Sequence, residues 1–323
     1  SIEGTRLGDG KTALLAAGIT IAGPLVLRRA RCNGEVRLQR SHLTAGLRAD
    51  QLSIKGDGAN LYCDAARIGG DVQLTEAEIT GPVSLENTTI AGSLSAHGIV
   101  VESPASGWNA AGLEIAQGLD LSGASITGPL NLEGASIGKR FLAERMAIDG
   151  GEIAIAADVI RVGGNWELPQ SRIVGQVRCP GARVEGQRRG TGMRIFGTDL
   201  AIRADGARIN GGVFFSRAVI SGSIRFPAAE IGNQFRFSGA TIKVEEGVAL
   251  LASGAILRRD AELNNGFQTI GGIVLDQAHI NGNCDLTGSQ IKSTAIVRAT
   301  SNSMPARPGT ERAPATGRTT LDN

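Results

Sequence analysis

Residues 121–137 read LSGASITGPLNLEGASI. The stretch holds one phrase and the start of the next: Ala124-Ser125-Ile126, then Leu130-x-Leu132, then Ala135-Ser136-Ile137. Outward from it the first half-phrase returns as Ala66-Arg67-Ile68, Ala77-Glu78-Ile79, Thr88-Thr89-Ile90, Ala218-Val219-Ile220, Ala229-Glu230-Ile231 and Ala240-Thr241-Ile242. The second half-phrase returns as Val72-x-Leu74, Val83-x-Leu85, Leu94-x-Ala96, Ile224-x-Phe226 and Phe235-x-Phe237. A phrase that recurs about every 11 residues is the mark of a solenoid.

Each half-phrase alternates one apolar residue with one variable residue. That is the period of a strand, with every second side chain on one face. Glycine and small or polar residues follow at corners, as in Ile126-Thr127-Gly128-Pro129-Leu130. The apolar spacing and the glycine and β-branched content oppose a helix. One phrase makes two very short strands, too few to close a coil. Two phrases predict a four-sided coil of about 22 residues in a single right-handed parallel β-helix. The phrase is recognisable from about Ile19 to Val297, which gives roughly 12 to 13 coils. At ~4.8 Å per coil the rod is expected to be on the order of 60 Å long.

The domain reading is an N-terminal cap segment over 1–11, a solenoid over 12–297, and a tail over 298–323. The tail is rich in Pro, Thr, Ser and Arg and lacks periodicity, so it is expected to be disordered. Residues 12–27, TALLAAGITIAGPLVL, admit two readings, a first coil or a targeting segment. The run is short for a membrane span, contains Gly and Pro, and ends in register with the repeat, which favours the coil.

Inward slots should hold Trp108 and Trp166. Phe215 and Phe237 are separated by one such coil, as are Val213 and Phe235. Each pair should therefore stack in adjacent coils, with Phe226 on the opposite wall. The cysteines Cys32, Cys63, Cys179 and Cys284 also fall in inward aliphatic slots, and none has metal-ligand spacing. Four buried free thiols favour a reducing compartment, so a cytoplasmic location is expected. The period breaks at 55–60 (KGDGAN) and 102–107 (ESPASG), more widely over 185–206, and again at 243–255 and 264–272. Loops on a rigid scaffold are where binding sites usually lie.

The net charge of +2 conceals an asymmetry. Residues 71–152 hold 11 acids and 3 bases, whereas 172–236 hold 11 arginines, no lysine and 4 acids. Sequence order becomes axial order in a solenoid, so the rod should be electrically bipolar. The candidate partner or polyanion surface is an arginine-rich face of Arg172, Arg178, Arg183, Arg188, Arg189, Arg194, Arg208, Arg225 and Arg236. Guanidinium groups suit carboxylates and phosphates. Among these arginines only Phe214 is expected to point outward for base stacking.

Signs of catalysis are sparse. Asp120 and Asn131 occupy equivalent half-phrases but opposite walls. His42, His97 and His279 are isolated, with no Ser or Cys nucleophile in arguable reach. Gly69-Gly70 reads as a corner, and no phosphate-binding or dinucleotide fingerprint is present. No enzyme activity, cofactor or metal is expected, and the regular repeat does not point to a membrane.

With its small residue and Leu two apart on successive walls, 121–137 resembles pentapeptide-repeat proteins, with one residue more in each pair of walls. That resemblance implies a four-sided right-handed coil. The Gly-cornered Ile/Leu strands and the tail also resemble bactofilins, which implies a polymerising bacterial scaffold. The phrase is similar as well to bacterial repeat proteins often labelled membrane-associated oxidoreductases, although no residue of this chain suggests redox chemistry. The expected function is a non-enzymatic scaffold or protein-interaction rod, able to self-associate. The alternatives are binding of nucleic acid or acidic polysaccharide through the arginines and, more remotely, a polysaccharide-active enzyme.

Overall fold

The computed structural model describes residues 1–8, 10–56 and 58–292. The tail expected over 298–323 and the last residues assigned to the solenoid lie outside them. Among the described residues there is no helix, and 43 short strands pair in parallel. Up to Ala147 each full turn of the chain makes four strands. One coil runs through Ser53–Lys55 (wall 1), Leu61–Tyr62 (wall 2), Arg67–Ile68 (wall 3) and Val72–Gln73 (wall 4). Walls 3 and 4 each form a 12-stranded sheet in chain order, while walls 1 and 2 share a 19-stranded sheet. The chain is therefore a β-solenoid of about 12 coils. Twelve rungs make a rod about 55 Å long.

The shared sheet qualifies the four-sided coil. From Ala147 onward, single strands run through the corner between walls 1 and 2, as in Ala147–Ala156, Arg172–Arg178 and Arg194–Arg203. Thr12–Leu15 pairs with Glu35–Arg37, Thr20–Ile21 with His42–Leu43, and Leu25–Val26 with Leu47–Arg48, so 12–27 forms strands of the first coil. Arg6–Leu7 already pairs with Arg31–Cys32, within the segment read as a cap.

The coil is not uniform in length. Along wall 3, Thr20, His42, Arg67, Thr89, Glu114, Ser136, Arg161, Arg183, Arg208 and Glu230 are successive partners. Short and long steps alternate strictly: the step from His42 to Arg67 is longer than the steps from Thr20 to His42 and from Arg67 to Thr89. The true repeat is thus a pair of coils, the span from Thr20 to Arg67 or from His42 to Thr89. One residue is added between walls 4 and 1, before Gln268 and within the break expected at 264–272; the other extra residues fall at the corner between walls 1 and 2, at 55–60, 102–107, 149–154, 196–201 and 243–249. In the intervening coils that corner is tight. Gly175 turns it at φ 111°, and a Cβ there would run into the Gly151 carbonyl and Ala154 of the longer loop beside it. Gly128 and Gly222 stand in the same relation to the loops before them. Each long loop lies against a neighbouring corner that has room only for glycine.

This periodicity revises the expected disruption over 185–206. Arg183–Val184, Arg188–Arg189 and Arg194–Arg203 are regular strands in their three sheets, and the only added chain is the corner at 196–201.

The corners between walls 2 and 3 and between walls 4 and 1 carry a second device. After each Leu-x-x-Ala step the last N–H donates back to the first carbonyl, as from Ala77 to Leu74 at 3.1 Å. The third residue of that turn takes positive φ: Glu76 at 54°, Asn87 at 52°, Gly134 at 67°.

The interior is one continuous apolar column. Ile126, Ile148, Ile173, Ile195, Ile220 and Ile242 stack rung on rung. Trp108 and Trp166 are buried, as the spacing predicts. Val213 pairs with Phe235, and the Phe215 and Phe237 rings meet edge to face at 5.3 Å. Phe226 reaches across to Phe235 at 5.4 Å. Cys32, Cys63 and Cys179 are buried, but Cys284 is exposed. It follows Ala261 in an inward slot of wall 4 and is on the last described rung there, with no described rung beyond to cover it.

Candidate functional site

Outward side chains at equivalent positions form columns, one residue per rung, about 4.8 Å apart. Between Arg161 and Arg236 these columns fill with arginine on every wall. Wall 3 carries Arg161, Arg183 and Arg208 on consecutive rungs. Wall 2 carries Arg178, Arg203 and Arg225. Wall 1 carries Arg172 and Arg194, and wall 4 carries Arg189, Phe214 and Arg236. The arginines read from the sequence therefore do not form a single face. Eight of the nine encircle the rod, exposed or half-buried.

The ninth, Arg188, is not on the surface. It follows Trp166 in the inward column of wall 4 and is 2 % exposed. Alternation places Arg189 outward and Arg188 inward, so an Arg-Arg pair in a strand cannot present both side chains to solvent. Burial pushes the Arg188 guanidinium below its ordinary pKa, and the nearby Cys179 opposes that shift.

The surface arginines differ in how they are neutralised. On wall 2, Arg178 pairs with Asp158 at 2.9 Å, while Arg203 and Arg225 share Asp205 at 3.0 and 3.5 Å. Arg236 donates two hydrogen bonds to Glu262, at 2.7 and 2.8 Å, which raise its pKa. Arg189 lies 3.8 Å from Glu167, which also faces Arg140. On wall 3, Arg208 reaches Glu230 at 3.4 Å, but Arg161 and Arg183 have no carboxylate partner among the described residues. Arg194 likewise has none, and Arg172 lies 5.0 Å over the Phe196 ring. Phe214 stands between Arg189 and Arg236, at 5.8 and 5.6 Å.

Three members of this belt fall outside the set of residues read from the sequence. Arg161 precedes the arginine-rich window, although it stands one coil before Arg183 in the same column. Arg203 and Phe196 lie in the segment that reads as a disruption. Phe196 is 39 % exposed, so Phe214 is not the only outward aromatic.

Negative charge gathers elsewhere, on the long corners between walls 1 and 2. Glu102, Asp149, Glu152, Asp199, Glu245 and Glu246 are exposed there and make no ion pair among the described residues. The corners project at every second coil along one edge, so they form a ridge. Between the last two lies a cleft of about 700 Å³, lined by Thr198, Asp199, Lys243, Glu245 and Glu246, with Ser221-Gly222 of the intervening tight corner as its floor.

His42, His97 and His279 are exposed, the first and last near opposite ends of wall 3. Asp120 lies on wall 4 and Asn131 on wall 2. Among the described residues no three His, Cys, Asp or Glu side chains gather in a group able to hold a metal ion, and no helix is long and apolar enough to cross a membrane. In comparison with known proteins, the chain matches no family model, no curated protein and no solved structure.

Proposed function

We propose that this chain is a non-catalytic interaction rod that recognises its partners by charge and associates with copies of itself. The observation that carries the reading is the order of strands in walls 3 and 4, which follows the sequence. That order lays the acidic coils of 71–152 directly before the arginine coils of 172–236 along one axis. Complementary patches on one stiff body favour encounter between bodies and make it sensitive to salt. The test is light scattering after size exclusion at low and high salt, with negative-stain images. Concentration-dependent assemblies that dissolve in salt support the reading, and a monomer at every salt concentration overturns self-association.

A second reading, capture of a linear polyanion, is favoured by Arg161 and Arg183. Like charges one rung apart repel, and a polymer of phosphates or carboxylates laid along wall 3 would relieve that repulsion. Its mark is an affinity for heparin, polyuronate or single-stranded DNA that falls steeply with salt and weakens in Arg161→Glu and Arg183→Glu. These two positions are more informative than Arg225 or Arg236, whose charges Asp205 and Glu262 already meet.

A further inference from the structure

The long corners recur at every second rung, and Arg161 and Arg208 of wall 3 stand on two of those rungs, with Arg183 on the rung between. The corner 149–154 belongs to the same coil as Arg161, and the corner 196–201 to the same coil as Arg208. Arg161 and Arg208 are two rungs apart, as are Glu152 and Asp199. The two features cannot meet on one rod, because the breadth of wall 2 lies between ridge and column. Glu152 and Asp199 have no cationic partner of their own, and Arg161 and Arg183 have no anionic one among the described residues.

We propose that the acidic ridge of one copy docks along the wall 3 arginine column of a second copy, with the two rods parallel and side by side. This rests on the self-association reading above and names its two surfaces. Moving one rod sideways, with no shift along the axis, brings Asp149 and Glu152 of its ridge to the height of Arg161 on its neighbour. The same movement brings Asp199 to the height of Arg208, which also reaches Glu230 of its own rod, so Arg161 is the unpaired arginine that the ridge meets. Arg183 lies at the height of the recess between these two corners, where Gly175 keeps the surface low. Shifts by two rungs also match ridge to column, but they shorten the overlap of the rods. A one-rung shift sets projecting corners against Arg183 alone, and Arg161 and Arg208 then face recesses. The contact is heterologous: each rod offers a ridge on one side and a column on another, so association continues into rows rather than closing as a pair.

Neutral substitutions test this without building new charge. A ridge variant carries Asp149→Asn, Glu152→Gln, Asp199→Asn, Glu245→Gln and Glu246→Gln. A column variant carries Arg161→Gln, Arg183→Gln and Arg208→Gln. All eight side chains are exposed, and an unchanged circular dichroism melt for each variant shows that the solenoid is intact. By light scattering at low salt, each variant alone should be monomeric. Mixed in equal amounts, the two should form one-to-one pairs and stop there, because only the intact ridge of one and the intact column of the other can meet. In 1 M salt, where the screening length is about 3 Å, the pairs should separate. A ridge variant that assembles like the parent chain overturns the proposal while leaving self-association standing. So does a mixture that stays monomeric. If the parent chain itself never associates, both the proposal and the reading it rests on fail.

Discussion

The guanidinium carbon of Arg188 lies 3.9 Å from the centre of the Trp166 ring, inside the rod. Its Nε and Nη1 have no hydrogen-bond partner among the described residues, and the centre of the Phe215 ring lies 5.8 Å from the same carbon. A buried cation with two unpartnered nitrogens loses hydration that aromatic faces do not replace, so desolvation outweighs the cation–π attraction. Arg188→Met keeps the length of the side chain and removes the charge. It should stabilise the protein by about 1–4 kcal/mol. The check is the midpoint of urea or thermal unfolding, and a lower midpoint in the variant would mean that the stack with Trp166 and Phe215 outweighs the lost hydration.

Val159 holds a φ of 50° and is 57 % exposed. A β-branched residue in the left-handed region is strained, whereas Asn87 and Gly134 occupy the equivalent turn position of other coils at little cost. Exposure means that little packing is lost with the side chain. Val159→Asn should raise stability by about 1 kcal/mol. The same gain should be absent from a swap at Glu76, whose unbranched side chain sits at a similar φ of 54°.

The two kinds of glycine should answer differently to a methyl group. Gly134 has φ 67° and open space around it, and Ala65 and Ala228 already occupy equivalent turns. Gly134→Ala should therefore cost only about 1 kcal/mol. Gly175 combines φ 111° with a Cβ position that collides with the backbone of the neighbouring long corner. Gly175→Ala should cost a further ~1–3 kcal/mol and loosen the 149–154 corner. Hydrogen exchange at that corner checks the second effect. Equal losses at Gly134 and Gly175 would show that the long corners do not rest on the tight ones.

What the repeat makes legible is the part governed by a simple alternation. Strand, inward slot, stacked pair and axial order follow from the spacing of Ala, Ile and Leu, and Phe215 over Phe237 is its plainest case. The alternation of coil lengths is hidden because the added residues read as separate insertions. Their common spacing, from 55–60 to 102–107 and onward, is present in the sequence, but a uniform coil gives no reason to look for it. Composition misplaces Arg188 because it groups charges without regard to alternation, and the same residue makes a regular coil resemble a disruption. Partition of charge between ridge and column depends on which wall each residue faces. That becomes visible only once the register of every coil is known.

Burial pushes the Cys63 thiol up to about 12, with a smaller contribution from the neighbouring Asp64. The Cys32 thiol is pushed up to about 11 by burial alone. An unfolded thiol ionises near 9.0, so between about pH 9 and 12 the unfolded chain releases protons that the folded chain retains. The stabilisation from these thiols is therefore complete below pH 9 and declines as pH rises through that window. Other groups titrate there as well, so the informative quantity is a difference. The parent chain should lose stability relative to Cys63→Ala as the buffer is taken from about pH 8 to pH 11. A gap between the two proteins that stays constant with pH would mean that Cys63 reaches solvent. A disulfide reagent offers an independent check at neutral pH. Cys284, the one exposed thiol among the described residues, should react first, and Cys32, Cys63 and Cys179 only on the timescale of unfolding.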